Sequence, residues 1–247
     1  MPDYLMTPAG RRIAYEKLAG SGPGIVFLGG LKSDMQGSKA QYLWDWAANT
    51  GRAFLRFDYS GHGQSDGAFT DGCIGDWAED AQHVIAALTK GPQVLVASSM
   101  GGWIGLILAT RMADGIAGFV GIASAPDFTE DAFWDGFDET QKAELAANGQ
   151  IALPSDYDEP YIITQRLIED GREHLVLRKP LPLPFPARFL QGTADRSVAL
   201  SVATRIIQHA TGPDIRLIVV KDADHSFSTP ECLQLIQNNI SEVSRRA

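Results

Sequence analysis

The sequence predicts an α/β fold in which helices cover both faces of a mostly parallel central sheet. Six short apolar segments rich in Val, Ile, Leu and Phe have the composition expected of strands that are buried on both faces. Helical patterns lie between these segments, and such an alternation of strand and helix is typical of a parallel sheet. A chain of 247 residues, with 45% hydrophobic and 21% charged residues, is long and apolar enough to form a complete core.

The predicted elements follow one another in a regular order. The apolar strands cover residues 24–28, 53–58, 94–97, 118–123, 187–190 and 215–220. Apolar residues at helical spacing predict helices over residues 76–90, 103–112, 197–210 and 230–243. The sequence also allows an N-terminal hairpin around residues 11–15. We expect these elements to form a single domain that spans residues 1–247.

Residues 127–186 interrupt the alternation, and we expect this insertion to form a helical cap on the domain. A polar helical pattern covers residues 139–148, and Pro160 is predicted to open a further helix that ends at Gly171. No clear strand is predicted in the insertion. It contains the aromatic residues Phe128, Phe133, Trp134 and Phe137. These residues would either line an acyl pocket or anchor the insertion to the core, and the sequence favours neither interpretation.

Charge and cysteine content argue against several classes of function. The net charge is −9 and no basic cluster is present, which disfavours binding to nucleic acid and to anionic membranes. Two cysteines, Cys73 and Cys232, form neither a metal-binding pattern nor a disulfide framework, and they favour a reducing compartment. The N-terminus lacks the apolar segment of a signal peptide, and the uncharged residues 94–110 are interrupted by serines and glycines. We therefore expect a cytoplasmic protein without a membrane span.

A pair of serines ends the third apolar strand, in the segment QVLVASSMGGW (residues 93–103). A nucleophilic serine on a sharp turn between strand and helix needs small residues two positions before and two positions after it. Ser99 has Ala97 and Gly101 at these positions, whereas the corresponding neighbours of Ser98 are bulky. The pattern A-x-S-x-G therefore predicts Ser99 as the nucleophile. The alternative is a turn of small residues that serves only the packing of helix on strand.

His225 is the predicted general base for this serine. It lies in the loop between the last apolar strand and the last helix, and such loops at the carboxyl ends of strands carry ligand chemistry in α/β sheets. A catalytic histidine also needs an acid that fixes its tautomer. Asp195 is predicted for this role because it follows the fifth strand at the same edge, and Asp127, after the fourth strand, is the rival. The order serine, aspartate, histidine along the chain is typical of hydrolases rather than of the known serine protease arrangements.

Two backbone N–H groups are needed to stabilise the oxyanion that forms when a serine attacks an acyl carbonyl. Met100 is predicted to supply one of them, because it directly follows the nucleophile. Leu31 is predicted to supply the other from the loop after the first apolar strand, where Gly29 and Gly30 allow close approach of the backbone. The predicted chemistry requires no metal and no organic cofactor.

These residues resemble the α/β-hydrolase superfamily over nearly the whole chain. The turn DYSGHGQS (58–65) is similar to the D-x-x-G-x-G-x-S turn common in that superfamily, and we interpret it as structural rather than catalytic. The segments GSKA (37–40), RFDYSG (56–61), SDG (65–67) and SSMGGW (98–103) further resemble the acyl-protein thioesterase and acyl-glucuronide esterase subfamily of abhydrolase domain-containing protein ten, with its bacterial relatives.

This resemblance implies that Ser99, Asp195 and His225 hydrolyse carboxylic esters or acyl thioesters. The chain departs from the family pattern at Ala97, where the family has glycine. The implied partner is a small-molecule or acyl ester or thioester substrate, with no nucleic acid and no membrane span. Two other hypotheses stay open, since fold alone does not fix function. The same fold could serve as a C–C bond hydrolase, a perhydrolase or a lyase, or the chain could be a non-catalytic binding protein.

Overall fold

The computed structural model describes residues 1–153 and 160–246. In chain order, the strands are β1 (Asp3–Met6), β2 (Arg12–Leu18), β3 (Ser21–Leu28), β4 (Arg52–Phe57), β5 (Gln93–Ser98), β6 (Ile116–Ile122), β7 (Gln150–Leu153), β8 (Tyr161–Thr164), β9 (Leu181–Pro182), β10 (Ala187–Gly192), β11 (Ala210–Thr211) and β12 (Ile215–Val220). The α-helices are α1 (Ser38–Thr50), α2 (Ile74–Leu88), α3 (Met100–Arg111), α4 (Glu139–Asn148), α5 (Gln165–Glu173), α6 (Leu200–His209) and α7 (Pro230–Arg246).

Eight of these strands form the central sheet, in the order β1-β2-β4-β3-β5-β6-β10-β12. The N-terminal hairpin of β1 and β2 is antiparallel, and β2 pairs antiparallel with β4. All remaining neighbours, from β4 to β12, are parallel. The α/β class with a mostly parallel sheet is therefore confirmed, and the hairpin allowed by the sequence is present.

The parallel strands end at one common edge of the sheet. Leu28 of β3 pairs with Ala97 of β5, and Gly192 of β10 pairs with Val220 of β12. Because the strands run in one direction, the loops that follow them meet at this edge. The loops after β3, β5, β6, β10 and β12 are those that carry the predicted site residues.

Helices cover both faces of the sheet, which explains why its strands are apolar on both sides. On one face, α2 and α3 contribute the fully buried Trp77 and Trp103 to the larger core. On the other face, α7 packs beside α1, a helix that the sequence analysis did not predict. The buried positions of α1 are Ala40, Leu43 and Ala47, which have helical spacing, but two of these three residues are alanines and give only a weak hydrophobic signal in the sequence.

The insertion contains more strand than expected. It holds a π-helical segment (Thr129–Trp134), the helices α4 and α5, the antiparallel hairpin of β7 and β8, and β9, which pairs with β11. The expectation that Pro160 opens a helix is wrong, because Pro160 precedes β8 and α5 begins only after Thr164. The Thr164 hydroxyl caps α5 by accepting a hydrogen bond from the Leu167 N–H. Residues 154–159 of the insertion lie outside the described residues.

No helix within residues 1–153 and 160–246 is long and apolar enough to cross a membrane. The uncharged residues 94–110 divide between β5 and α3, both of which are almost entirely buried. Their apolar character therefore reflects their position at the centre of the sheet.

A buried arginine connects the last strands of the sheet to the C-terminal helix. Arg188 on β10 is fully buried, and its guanidinium binds the carboxylates of Asp214 at 2.8 Å and Glu242 of α7 at 2.9 Å. Arg216 on β12 contacts the same carboxylates from the surface, at 3.3 and 3.2 Å, and its side chain is 49% exposed. The two arginines thus share their partners but differ in burial.

We expect Arg188→Met to lower the free energy of unfolding by about 3 kcal/mol, because it leaves partly buried carboxylates without their buried cation. Arg216→Met serves as the matched control and should cost less than about 1 kcal/mol, because solvent screens the exposed pair. Urea denaturation of both variants measures the difference. Equal losses for the two variants would contradict this role for Arg188.

Candidate active site

Ser99 lies at the turn between β5 and α3 in a backbone conformation that L-amino acids rarely adopt. Its φ is 53° and its ψ is −119°, a strained geometry that costs about 1–3 kcal/mol. The Ser99 N–H donates to the Ile122 carbonyl at 2.9 Å, and the Ala125 N–H donates to the Ser99 carbonyl at 3.1 Å. The adjacent strand β6 and the loop after it therefore hold the turn in this conformation.

Gly101 and Gly102, which follow shortly after Ser99, are small because other parts of the chain lie directly against them. A Cβ atom on Gly101 would lie 2.2 Å from the Leu28 carbonyl oxygen, at the end of β3. A Cβ atom on Gly102 would lie 2.4 Å from the Ser124 Oγ. The sequence analysis attributed the small residue at position 101 to the sharp turn itself, and the structure shows that the nearest atoms belong to the end of β3 and to Gly29.

The structure brings Ser99, His225 and Asp195 together in a chain of hydrogen bonds. His225 Nε2 lies 3.1 Å from Ser99 Oγ, and His225 Nδ1 lies 2.9 Å from Asp195 Oδ2. The Asp195 side chain is fully buried, whereas that of His225 is 31% exposed. Because an ionised carboxylate only accepts, Nδ1–H donates to Asp195 and Nε2 accepts from the Ser99 hydroxyl. This arrangement can transfer a proton from Ser99 to His225.

Each oxygen of the Asp195 carboxylate accepts two hydrogen bonds. Oδ2 accepts from His225 and, at 2.9 Å, from the side-chain amide of Gln191. Oδ1 accepts from the backbone N–H groups of Ser197 at 2.9 Å and Val198 at 2.8 Å. Burial alone raises the pKa of Asp195, but the hydrogen bonds from His225, Val198 and Gln191 outweigh it and hold this pKa below its ordinary value. The carboxylate therefore stays ionised beside His225.

The loop that carries His225 is strained and depends on its neighbours. Asp222 and Phe227 have φ values of 61° and 49°, both in the left-handed region. At Gly192, the last residue of β10, a Cβ atom would lie 2.1 Å from the Ala223 carbonyl oxygen. Glycine at this position therefore allows the loop of His225 to pack against the loop of the acid.

Lys39 connects this loop to helix α1. Its Nζ donates to the backbone carbonyl of Ser226, which directly follows His225. Burial lowers the pKa of Lys39 more than the nearby charge of Asp224 raises it. Lys39 belongs to the GSKA segment, to which the sequence analysis assigned no role.

Both predicted oxyanion donors belong to segments that contact Ser99. Met100 is the first residue of α3, so its N–H lies at the positive end of the helix dipole. Leu31 lies in the turn after β3, which is closed by a 3.2 Å hydrogen bond from the Ser33 N–H to the Gly30 carbonyl. A Cβ atom on Gly30 would lie 3.4 Å from the Ser99 Cβ, so this turn packs directly against the serine.

Asp127, the rival acid, binds a different part of the molecule. Its buried carboxylate accepts hydrogen bonds from the N–H groups of Val176 at 2.8 Å and Leu177 at 3.0 Å, and from Arg178 at 3.0 Å. Burial raises the pKa of Asp127 despite these bonds. Asp127 therefore holds the later part of the insertion against the end of β6, and the carboxylate that contacts His225 is that of Asp195.

The other four histidines form hydrogen bonds with backbone carbonyls close to them in the sequence. In each, Nδ1 is hydrogen-bonded to a nearby backbone carbonyl, His62 to Ser60, His83 to Glu79, His174 to Asp170 and His209 to Arg205. Within the described residues, no group of three or more His, Cys, Asp or Glu side chains could hold a metal ion.

The turn at residues 58–65 is held together by its own polar side chains. The Asp58 carboxylate accepts hydrogen bonds from the N–H groups of Met35 at 2.6 Å and Gln64 at 2.8 Å. The Ser65 hydroxyl donates to the Asp58 carbonyl at 2.6 Å. These contacts agree with a structural rather than a catalytic interpretation of the turn.

The aromatic residues of the insertion contact the body of the protein and one another. The Phe128 ring packs edge-on against Trp103 of α3, with centroids 5.4 Å apart, and against Phe133 at 5.2 Å. The Arg172 guanidinium lies 4.5 Å from the centre of the Trp134 ring. The contact with α3 favours the anchoring interpretation for Phe128, whereas Trp134 contacts a residue of the insertion itself.

Comparison with known proteins identifies the family. A family model described as "Alpha/beta hydrolase family" matches residues 25–231. The chain belongs to the α/β-hydrolase family. The matched range includes Ser99, Asp195 and His225. The resemblance found in the sequence is therefore confirmed, as is the prediction that the protein is an enzyme of the hydrolase class.

This α/β-hydrolase has relatives that match almost its whole length. The rat palmitoyl-protein thioesterase ABHD10, mitochondrial, is 34% identical over 242 residues, which cover 97% of this chain and 81% of the rat protein. A solved protein of Agrobacterium vitis S4 superposes with a TM-score of 0.94 and 36% identity, covering 99% of this chain and 98% of that one. Mouse alpha/beta hydrolase domain-containing protein 10 superposes with a TM-score of 0.90 and 30% identity, covering 98% and 97%. The chain is thus an α/β-hydrolase of the ABHD10 type.

The expected cytoplasmic location is wrong in the light of these relatives. The rat and human ABHD10 proteins are both named as mitochondrial. The expectation rested partly on the cysteine content, and Cys73 and Cys232 are indeed free and buried. Free cysteines indicate a reducing environment but do not distinguish one compartment from another.

Three residues at the site were not identified from the sequence. They are Lys39, Gln191 and Gly192. Each carries a weak signal, namely a lysine in the first turn of a helix, a glutamine near the end of an apolar strand, and a glycine just before the acid loop. Their roles depend on contacts with loops that are distant in sequence.

We expect Gly101→Ala to lower the free energy of unfolding by about 1–3 kcal/mol, because the new Cβ would overlap the backbone of β3. Gly136→Ala is the matched control, since a Cβ atom there meets nothing within 4 Å. Urea denaturation measures both variants. If Gly101→Ala were as stable as the control, crowding by β3 would not explain the glycine.

Asparagine substitutions separate the two candidate acids. We expect Asp195→Asn to lower kcat by about 10⁴-fold, because the histidine loses the carboxylate that fixes its tautomer. Asp127→Asn should lower the melting temperature, because it weakens the attachment of the insertion, and leave kcat within about threefold of wild type. Steady-state hydrolysis of a p-nitrophenyl ester and thermal denaturation give both quantities. The opposite pattern would make Asp127 the acid.

Proposed function

We propose that this α/β-hydrolase cleaves carboxylic esters or acyl thioesters, with Ser99 as nucleophile, His225 as general base and Asp195 as the acid that orients it. The observation that carries the proposal is the pair of hydrogen bonds, 3.1 and 2.9 Å long, that joins these three side chains. A binding protein would need neither the strained backbone of Ser99 nor a buried carboxylate behind the histidine. The geometry therefore favours catalysis over binding alone.

In the first half of the proposed reaction, His225 Nε2 takes the proton of Ser99 Oγ while that oxygen attacks the acyl carbonyl. The resulting imidazolium is stabilised by the ionised Asp195. The negative charge develops on the carbonyl oxygen, where the N–H groups of Met100 and Leu31 would donate to it. Collapse of this intermediate breaks the bond to the leaving alcohol or thiol, which receives the proton from His225.

The second half repeats the sequence with water. His225, again neutral, takes a proton from a water molecule that attacks the acyl-enzyme carbonyl. The ester bond to Ser99 Oγ then breaks, and His225 returns the proton to this oxygen. The exposed edge of His225 is accessible to water, as this step requires.

Within this class, we propose that acyl thioesters are the preferred substrates. The similarity to proteins named palmitoyl-protein thioesterase extends over 97% of this chain and includes the insertion. Residues 127–186 would act as the cap over the acyl group.

Ser99→Ala should abolish hydrolysis, because the variant lacks the hydroxyl that forms the acyl-enzyme. Ser98→Ala is the matched control, since the neighbouring hydroxyl is not placed on the turn, and we expect it to retain most of the activity. Both variants and wild type are compared on oxygen esters and thioesters of equal acyl length, from acetyl to palmitoyl, and on an acyl glucuronide. Labelling with a fluorophosphonate reports whether Ser99 is reactive.

The outcomes of this panel separate the hypotheses. A Ser99-dependent preference for long thioesters would support the substrate proposed above. A preference for short oxygen esters would leave a general carboxylesterase. Activity of Ser99→Ala near the wild-type level would refute the proposed mechanism, and products other than an acid and an alcohol or thiol would indicate a different reaction on the same fold.

A further inference from the structure

Gln191 is a buried polar residue near the end of β10. It lies next to the last residue of β10, and only 1% of its surface is exposed. Its neighbours in the strand, Leu190 and Phe189, are buried in the two hydrophobic cores. A buried amide in such a position costs folding free energy unless its polar atoms are bound. The contacts of this side chain therefore indicate its role.

The amide nitrogen of Gln191 points at the acid of the active site. Nε2 donates to Asp195 Oδ2 at 2.9 Å and to the Val198 carbonyl at 3.0 Å. Both of these atoms are acceptors, so the reverse orientation of the amide would place its oxygen against two acceptors. The chemistry of the neighbours thus fixes which end of the amide faces Asp195.

Only one end of the Gln191 amide is hydrogen-bonded within the described part of the chain. Among the described residues, the buried Oε1 has no hydrogen-bond partner. An unbound buried acceptor is unfavourable, and an apolar residue of similar size would avoid it. The interaction that an apolar residue could not supply is the hydrogen bond to Asp195.

We propose that Gln191 is a positioning residue of the active site, which restrains the Asp195 carboxylate and limits its basicity toward His225. This inference rests on the proposed function of the triad. The oxygen that accepts from Gln191 is the same Oδ2 that accepts from His225 Nδ1. Gln191 therefore acts on the base through the acid and has no contact with the reacting atoms.

The direction in which loss of Gln191 changes the Asp195–His225 interaction follows from this shared oxygen. Without the amide N–H, Oδ2 would direct more of its negative charge toward His225, which stabilises the imidazolium. Removing the Gln191 N–H would therefore strengthen the charge interaction between Asp195 and His225. The other charged groups near the base are Lys39 of α1, bound to Ser226, and Asp224 in the same loop. Neither changes when Gln191 is replaced.

Two substitutions predict opposite dependences on pH. Gln191→Leu removes the donor and leaves more of the Asp195 charge directed at the imidazolium, so its activity relative to wild type should be lowest at acid pH and recover as the pH rises. Gln191→Glu can donate to Asp195 only while the new carboxyl is protonated. Its relative activity should therefore be highest at acid pH and fall as the carboxyl ionises beside Asp195.

The test is the pH profile of kcat/KM for wild type and both variants on one p-nitrophenyl ester. For Gln191→Leu we expect kcat to fall about tenfold with KM little changed, and the loss of kcat/KM relative to wild type to be larger at acid pH than at neutral pH. Fluorophosphonate titration counts the folded active sites, so that losses from misfolding are removed from the rates. A purely structural role would lower both variants by a factor that does not depend on pH.

Ser99→Ala, measured beside these variants, separates the two proposals. If Ser99→Ala retains activity, the proposed function fails. If Ser99→Ala is inactive while Gln191→Leu and Gln191→Glu both keep the wild-type profile, the proposed function stands and the role of Gln191 is refuted.

Discussion

The backbone of Ser99, held at a φ of 53°, is the constraint on which the rest of the site depends. Such a conformation persists only where neighbouring structure imposes it. Here the strands on either side of β5 supply the restraint. From one side, β6 and its following loop bind the N–H and carbonyl of Ser99. From the other, β3 lies so close that position 101 accepts only glycine. A central position in a parallel sheet thus makes the strained serine possible.

The same edge of the sheet sets the electrostatics of the site. Asp195 is fully buried, yet four hydrogen bonds to its carboxylate keep it ionised. His225 lies between this fixed charge and solvent, on a loop with two left-handed residues that needs contacts from outside. Gly192 and Lys39 supply these contacts from β10 and α1. The Asp195 side chain is fully buried, whereas the His225 side chain is partly exposed. This difference suits a proton that moves between Ser99, His225 and the reactants while Asp195 stays a fixed charge.

Asp127 and Asp195 show how far the sequence could distinguish candidates. Both follow a parallel strand at the same edge, so the sequence left them as alternatives. In the structure, Asp127 binds the backbone of the insertion and Asp195 binds His225. Local sequence cannot separate these outcomes, because the deciding partners lie about 30 to 50 residues away. The strand pairing of β7 with β8 and the helix α1 were missed for a related reason, since each depends on packing more than on its own pattern.

The sequence by itself determined the α/β class and the main strands and predicted Ser99 as the nucleophile, because apolar periodicity and the small residues around Ser99 are local properties of the chain. It also placed His225 and both candidate acids at one edge, since parallel strands end together. Only the tertiary structure decided which acid contacts the base, and only it showed Gln191, Lys39 and Gly192 as parts of the site. Those contacts join loops that follow different strands, and they exist only once the sheet has brought these loops together.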